Sequence, residues 1–262
     1  MDKTIGRFGS GQAVRRLEDG PLLAGTGRFT NDENLPGQAH LVFLRSPHAH
    51  ARIVSIDTSA ARALPGVLAI LTGEDVAAAG LKSLGVALPF KRPDGSDLAA
   101  PPRPILAQGL VRFVGEAVAA IIAESPAAAR DAAEAIMVDY EELPAVTNLH
   151  DAIAPGAPQL WPAAGNNIVA ETRYGDQAAV DAAFTTAAHV VSLDLVNQRL
   201  APVSMEPRVV LADYDSAGDR FTIRMSTQMP SGFRDQLCKE VLDIPTDRVR
   251  VLVGDVGGGF RS

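Results

Sequence analysis

An α+β fold is predicted for this chain of 262 residues, and three features predict it. Apolar runs of strand length recur through the first half, with short helical stretches between them. A break rich in Pro, Gly and Ala falls at residues 148–167. The last part of the chain then reads strand, helix, strand. The length suffices for one large domain or two ordinary ones, and the break is the candidate linker between two.

In chain order, the residues up to about Asn34 are rich in Gly and charge. They read as an extended arm with turns at Gly25, Gly27 and Pro36–Gly37. "AHLVFLRS" and "ARIVSIDTS" predict two strands around "PHAH", with Ile53, Val54 and Ile56 apolar in the second. "ARALPGVLAILTGEDV" predicts a short helix, a turn at Pro65–Gly66 and a buried strand over Val67–Leu71. Residues 80–104 are dense in Pro and Gly without a period and predict a long loop. "GLVRFVGEAVAAIIAE" predicts two strands broken at Gly115. Ser125 and Pro126 open a helix as cap and first-turn proline. Its apolar face carries Ala129, Ala132, Ala133 and Ile136. "MVDYEELP" returns as a strand with a solvated acidic end. Beyond the break, "AAVDAAFTTAAHV" predicts a helix, and "VVSLDLVNQ", "RVVLADYD" and "FTIRMSTQ" predict strands. "SGFRDQLCKEVL" predicts a helix with Phe233, Leu237, Val241 and Leu242 on one side, and "DRVRVLVGDV" the last strand.

Composition excludes several functions. The chain is 47% hydrophobic but has no long uncharged apolar run, so no membrane span is expected. The first twenty residues contain no apolar core of a signal peptide, and a cytoplasmic location is expected. Net charge is −7 and the basic residues are scattered, so nucleic acid is not an expected partner. The single cysteine, Cys238, excludes an internal disulfide, and an Fe–S cluster or Cys-type zinc site held by this chain alone. Between Leu237 and Val241 on a helix, it reads as a buried small hydrophobe.

The end of the chain carries the most chemistry. A strand–helix–strand run of this length predicts a crossover between parallel strands. Gln228 then follows one strand and the Gly257–Phe260 loop follows the other, on the sheet edge where open α/β sheets bind ligands. Glycine lacks a Cβ, so Gly257, Gly258 and Gly259 let a ligand approach the main chain, and successive N–H groups form an anion nest. The spacing matches neither the P-loop nor G-x-G-x-x-G. On spacing alone, a tight turn and a ligand loop are equally good readings. Elsewhere, Glu206 in "SMEPR" reads as a strand-edge carboxylate paired with Arg208. His48 and His50 share one face but lack an evident third ligand. His40, His150 and His189 stand alone, and Glu116 reads as part of a structural ion pair.

Eight segments occur in order: "GTGRFTNDENLPG", "LRSPHAHARIVSID", "PGVLAILTGEDV", "VRFVGEAVAAIIAE", "VDYEELPAV", "SMEPR", "STQMP" and "DVGGGF". From about Gly11 to Phe260 the chain resembles the molybdenum-binding large subunit of the xanthine dehydrogenase, aldehyde oxidase and carbon monoxide dehydrogenase family, in its N-terminal portion. The resemblance implies an arm at 1–19, an α/β hammerhead domain at 20–147, a linker at 148–167 and a truncated molybdopterin-binding domain at 168–262. It implies cofactor contacts from Gln228, Gly258, Gly259 and Phe260, with Arg261 where the family's G-G-F-G motif ends in glycine. The cofactor implied is molybdopterin cytosine dinucleotide with molybdenum. The activity implied is oxidative hydroxylation of an aldehyde, an N-heterocycle or carbon monoxide by water.

The same resemblance puts the catalytic glutamate beyond Ser262 and no catalytic residue within the chain. The isolated chain is therefore expected to be inactive and without cofactor. The remaining large-subunit polypeptide, an Fe–S subunit and a flavin subunit are its expected partners. Two other readings stay open. One is a non-catalytic assembly module that binds partner subunits or forms homo-oligomers. The other is a free-standing anion-binding α/β protein.

Overall fold

The computed structural model describes residues 16–85, 90–198, 200–201 and 203–259. The chain divides into two compact units. The larger comprises Pro36–Arg199 and Asp235–Pro245; the smaller comprises residues up to Leu35, Leu200–Arg234 and the chain from Thr246 on. In chain order the elements are α1 (Asp19–Leu23), β1 (His40–Arg45), β2 (Ala51–Asp57), α2 (Ser59–Arg62), β3 (Val67–Thr72), α3 (Gly73–Ala78), β4 (Leu110–Val111), β5 (Ala117–Ala123), α4 (Pro126–Glu134) and β6 (Met137–Glu142). They continue with α5 (Leu149–Ala152), α6 (Gln177–Thr186), β7 (Val210–Asp215), β8 (Arg220–Met225), α7 (Pro230–Gln236) and β9 (Val249–Leu252).

The larger unit is built on two antiparallel three-stranded sheets, ordered β1-β5-β3 and β4-β2-β6. β5, "AVAAIIA", is the centre of the first sheet, and its side chains alternate between two faces that are both covered. Ala119, Ile121 and Ala123 pack with Ala129, Ala132 and Ile136, the apolar face expected of α4. On the opposite face, Val118 packs with Ala51 and Val111, and Ala120 with Val76 and Leu106. A strand buried on both faces reads as a continuous apolar run. α4 starts as its sequence predicts: Ser125 Oγ accepts the Ala128 N–H at 3.1 Å, and Pro126 stands in the first turn. α3, which periodicity misses, begins with a capping box. The Thr72 hydroxyl accepts from the Asp75 N–H, and the Asp75 carboxylate accepts from the Thr72 N–H.

The Pro-rich segment after β6 is held by side chains rather than by a sheet. The Arg112 guanidinium stacks over the Trp161 ring at 3.7 Å, and its Nε donates to Leu160 O at 3.1 Å. Asn167 donates from Nδ2 to Ala152 O at 2.8 Å and to Pro158 O at 3.0 Å. Here the structure departs from the sequence reading: "VVSLDLVNQ" forms no strand. Its alternation of Val191, Leu193 and Leu195 with Ser192 and Asp194 fits a half-buried strand. The segment pairs with no strand among the described residues, and Leu195 stays 82% exposed. A strand needs a partner for its backbone groups, and pattern alone supplies none.

The smaller unit contains one sheet, ordered β7-β8-β9, with β7 antiparallel and β9 parallel to β8. The expected crossover is therefore present. Its helix is α7 followed by a π-helical turn over Leu237–Leu242. This turn, in the larger unit, buries Cys238 and Val241, and it stops at Asp243, whose φ is 54°. The leading segment is not wholly extended as the sequence reading has it. It contains α1 and a 3-10 turn at Thr30–Asp32, where the Asp32 carboxylate accepts from the Phe29 N–H at 3.0 Å.

Candidate functional site

β8 and β9 run in parallel, so the segments leaving both strands emerge at one edge of the sheet. Ser226, Thr227 and Gln228 leave β8; the chain from Val253 to Gly259 leaves β9. The two meet where the Gln228 side-chain amide donates to Gly259 O. The Gln228 amide keeps a second N–H and Oε1 for other groups. A hollow of about 410 Å³ adjoins this point, bordered by Arg208, Val210, Met225, Gln228 and Met229. A second, of about 370 Å³, lies among Arg28, Phe29, Arg224, Leu252 and Asp255.

The glycines are there because neighbours stand too close for a side chain. A Cβ on Gly257 would collide with Glu206 Cβ, and one on Gly258 would come within 2.6 Å of Ser204 Cβ. Gly258 also has φ 150°, which L side chains rarely adopt. At Gly259 the obstacle is Gln228 Nε2, at 3.1 Å. The open sides of these glycines are thus filled by Glu206, Ser204 and Gln228, and the Gly257 N–H is taken by the Glu206 carboxylate, so the anion nest expected of the three glycines does not have that N–H to offer. Phe260 and Arg261 lie outside the described residues.

Two supports behind the loop are invisible in the sequence. Glu206 is buried, at 8% exposure, and lies in the bend before β7 rather than at a strand edge. Its Oε2 accepts from Ser226 Oγ and from the Gly257 N–H, each at 2.7 Å. A glycine pair demanding close approach, together with a glutamate set between Met205 and Pro207, was the only available signal. The second support is Asp255. Its carboxylate accepts the Arg28 N–H at 2.7 Å, and its N–H donates to Arg28 O at 3.1 Å.

The other singled-out residues lie in the larger unit. Glu116 is buried and accepts the Arg112 backbone N–H at 2.5 Å. Burial pushes its carboxyl pKa up, while the Arg112 N–H and guanidinium pull it back; burial also pushes the Arg112 pKa down. The His48 ring meets the Tyr140 ring at a tilt, with centroids 4.7 Å apart, and reaches Glu142 at 3.5 Å, and His50 Nδ1 bonds Pro144 O at 2.8 Å. Among the described residues, no three His, Cys, Asp or Glu converge on a metal position. No helix among them is long and apolar enough to cross a membrane.

Known proteins share this architecture. Residues 24–144 match the aldehyde oxidase and xanthine dehydrogenase a/b hammerhead domain, and residues 160–260 match the molybdopterin cofactor-binding domain. The chain is 39% identical to the nicotine 6-hydroxylase large subunit of Paenarthrobacter nicotinovorans, over 95% of this chain and 30% of that protein. It is 34% identical to the carbon monoxide dehydrogenase large chain of Hydrogenophaga pseudoflava, over 93% of this chain and 30% of that one. Among solved structures, it is similar to quinoline 2-oxidoreductase from Pseudomonas putida 86, with a TM-score of 0.87 and 39% identity. That match covers 95% of this chain and 31% of the other. The chain spans about three-tenths of the length of these relatives.

Proposed function

The chain belongs to the family of molybdenum-binding large subunits that includes xanthine dehydrogenase and carbon monoxide dehydrogenase, and from that premise we propose that it is the N-terminal part of a molybdenum hydroxylase large subunit. One observation carries the proposal: Gln228 and the Gly257–Gly259 loop meet at the shared edge of β8 and β9. Gln228 offers an amide donor to an oxo oxygen. Gly258 and Gly259 line the same edge as contacts for molybdopterin cytosine dinucleotide, and Phe260, outside the described residues, is the third contact that the family resemblance implies. When bound, that cofactor supplies Lewis acidity and two-electron redox chemistry for hydroxylation by water. The chain's own part is to orient the group and to present hydrogen-bond donors at one wall of its site. Substrates of the whole protein are an N-heterocycle, an aldehyde or carbon monoxide. The proton-accepting glutamate comes from polypeptide that this chain does not include.

The lone Cys238 leaves onward electron transfer to an Fe–S subunit and then a flavin subunit, in a cytoplasmic complex. The chain purified alone is expected to retain no stoichiometric molybdenum and to show no dye-linked oxidation of aldehydes or purines. Co-expression with a polypeptide carrying the rest of a family large subunit is expected to restore metal retention. Stoichiometric molybdenum with turnover in the isolated chain would overturn the reading.

A second reading, as an assembly module, is favoured by the exposed apolar stretch Val190–Val196, in which Val191 is 90% and Val196 86% accessible. A stable cofactor-free homodimer by sedimentation would support it over the first.

A further inference from the structure

We infer that Glu206 is a positioning residue that sets the main-chain path of the glycine loop against the strand end bearing Gln228. The inference rests on the proposed cofactor site but not on the identity of the cofactor. Gly257 is held twice. The Glu206 carboxylate accepts the Gly257 N–H at 2.7 Å, and the Glu206 N–H donates to Gly257 O at 3.4 Å. Both main-chain groups of one loop residue are thus held by one other residue, 51 positions away in sequence.

The same Oε2 accepts from Ser226 Oγ at 2.7 Å. Ser226 stands two residues before Gln228, so one carboxylate oxygen joins the exit of β8 to the loop beyond β9. An ionised carboxylate is acceptor only, and short bonds to it are about twice as strong as neutral ones. A glutamine in its place can turn its amide oxygen to both donors, but as a neutral acceptor whose two bonds are weaker. Glu206 is in turn fixed from its own side, because Ser204 Oγ donates to Glu206 O at 2.8 Å.

The glycines fit the same arrangement. Gly257 and Gly258 are the positions where a Cβ would strike Glu206 and Ser204 respectively. The 204–206 bend therefore acts as a template on which the loop lies, and the loop's lack of side chains is a requirement of that template. A role limited to general stability would not need the carboxylate to grip the loop and the strand exit together.

Hydrogen exchange of the intact chain, followed at individual amides, tests this. In Glu206→Gln, exchange at the Gly257 N–H is expected to speed roughly tenfold or more. The amides of Ile223 and Val251 in the sheet are expected to change less than about twofold. Ser226→Ala, which removes one of the two donors and leaves the carboxylate, is expected to give a smaller change confined to the same loop. Gly257→Ala is expected to loosen the loop with Glu206 intact. An unchanged Gly257 amide in Glu206→Gln would overturn the inference. So would a rise spread evenly over β8, β9 and the loop, which marks a merely structural residue. If Glu206→Gln does not fold, Ser226→Ala decides: a loop-confined change supports the inference and no change overturns it. None of these readouts depends on molybdenum, so failure of the cofactor reading leaves them interpretable.

Discussion

The two units solve the same problem, a three-stranded sheet, in opposite ways. β5 in the larger unit has five buried residues among its seven, and helices and a second sheet cover its two faces. β8 in the smaller unit buries Ile223 alone. The difference lies in side-chain size and in how the chain leaves the strands. Ala119, Ala120 and Ala123 let neighbours approach β5 closely, whereas β8 and β9 run out into loops held by a buried carboxylate and by glycines. A closed core makes a scaffold; a sheet edge with specified loop contacts makes a site, at the expense of core.

The sharpest test of that contrast is Ile121→Ala against Ile223→Ala. Ile121 is wholly buried, and its truncation is expected to cost about 3–5 kcal/mol of stability. Ile223→Ala is expected to cost about 2 kcal/mol, since less of the surrounding space is closed. Urea unfolding read by amides local to each sheet gives both values, and equal losses would break the comparison.

A smaller effect is expected at the Pro-rich segment. Arg112→Met removes the stacking on Trp161 and the bond to Leu160 O, at a cost of about 1–2 kcal/mol. Trp161 is the only tryptophan, so its emission reports the change directly and is expected to shift to longer wavelength.

Glu116 gives a pH test of how closed the larger unit is. Burial raises its folded-state pKa, so the folded chain still holds that proton where the unfolded chain has released it. Its contribution to stability therefore falls as pH rises from the ordinary carboxylate value through the raised one, and is level above that. Urea midpoints between about pH 4 and 7 are expected to show this decline in the wild type and to lose it in Glu116→Gln. An unaltered slope in the variant would place the Glu116 carboxyl in effective contact with water.

The smallest effect is expected at Leu195→Ser. Stability is expected to change by no more than about 0.5 kcal/mol, because this side chain is already in water. Self-association measured by sedimentation is expected to weaken. A large loss of stability would instead assign the Val190–Val196 stretch to the unit's own core.

Much of this was legible in local sequence. The apolar runs of β1 and β2, the Ser125–Pro126 start of α4 and the strand–helix–strand order of β8, α7 and β9 are each written in short stretches of sequence. α3 was also locally encoded, by Thr72 and Asp75, but its six residues are too few for a helical period to show. The absent strand at "VVSLDLVNQ" is the reverse case: the right pattern with no partner strand. Gln228 and the glycine loop were recognisable as candidates because family motifs and sheet-edge position both pointed to them. That the Gln228 amide bonds Gly259 O was not.

By itself the sequence determined the α+β class, most strands and helices, the family and the candidate loop, because these follow from periodicity, capping chemistry and ordered motifs. Only the tertiary structure decided that Glu206 grips Gly257 and Ser226, that Asp255 ties down Arg28 across 227 positions, and that Arg112 covers Trp161. Those contacts depend on where the backbone brings distant residues, and a carboxylate carries the same local signature whether it ends in water or beneath a loop.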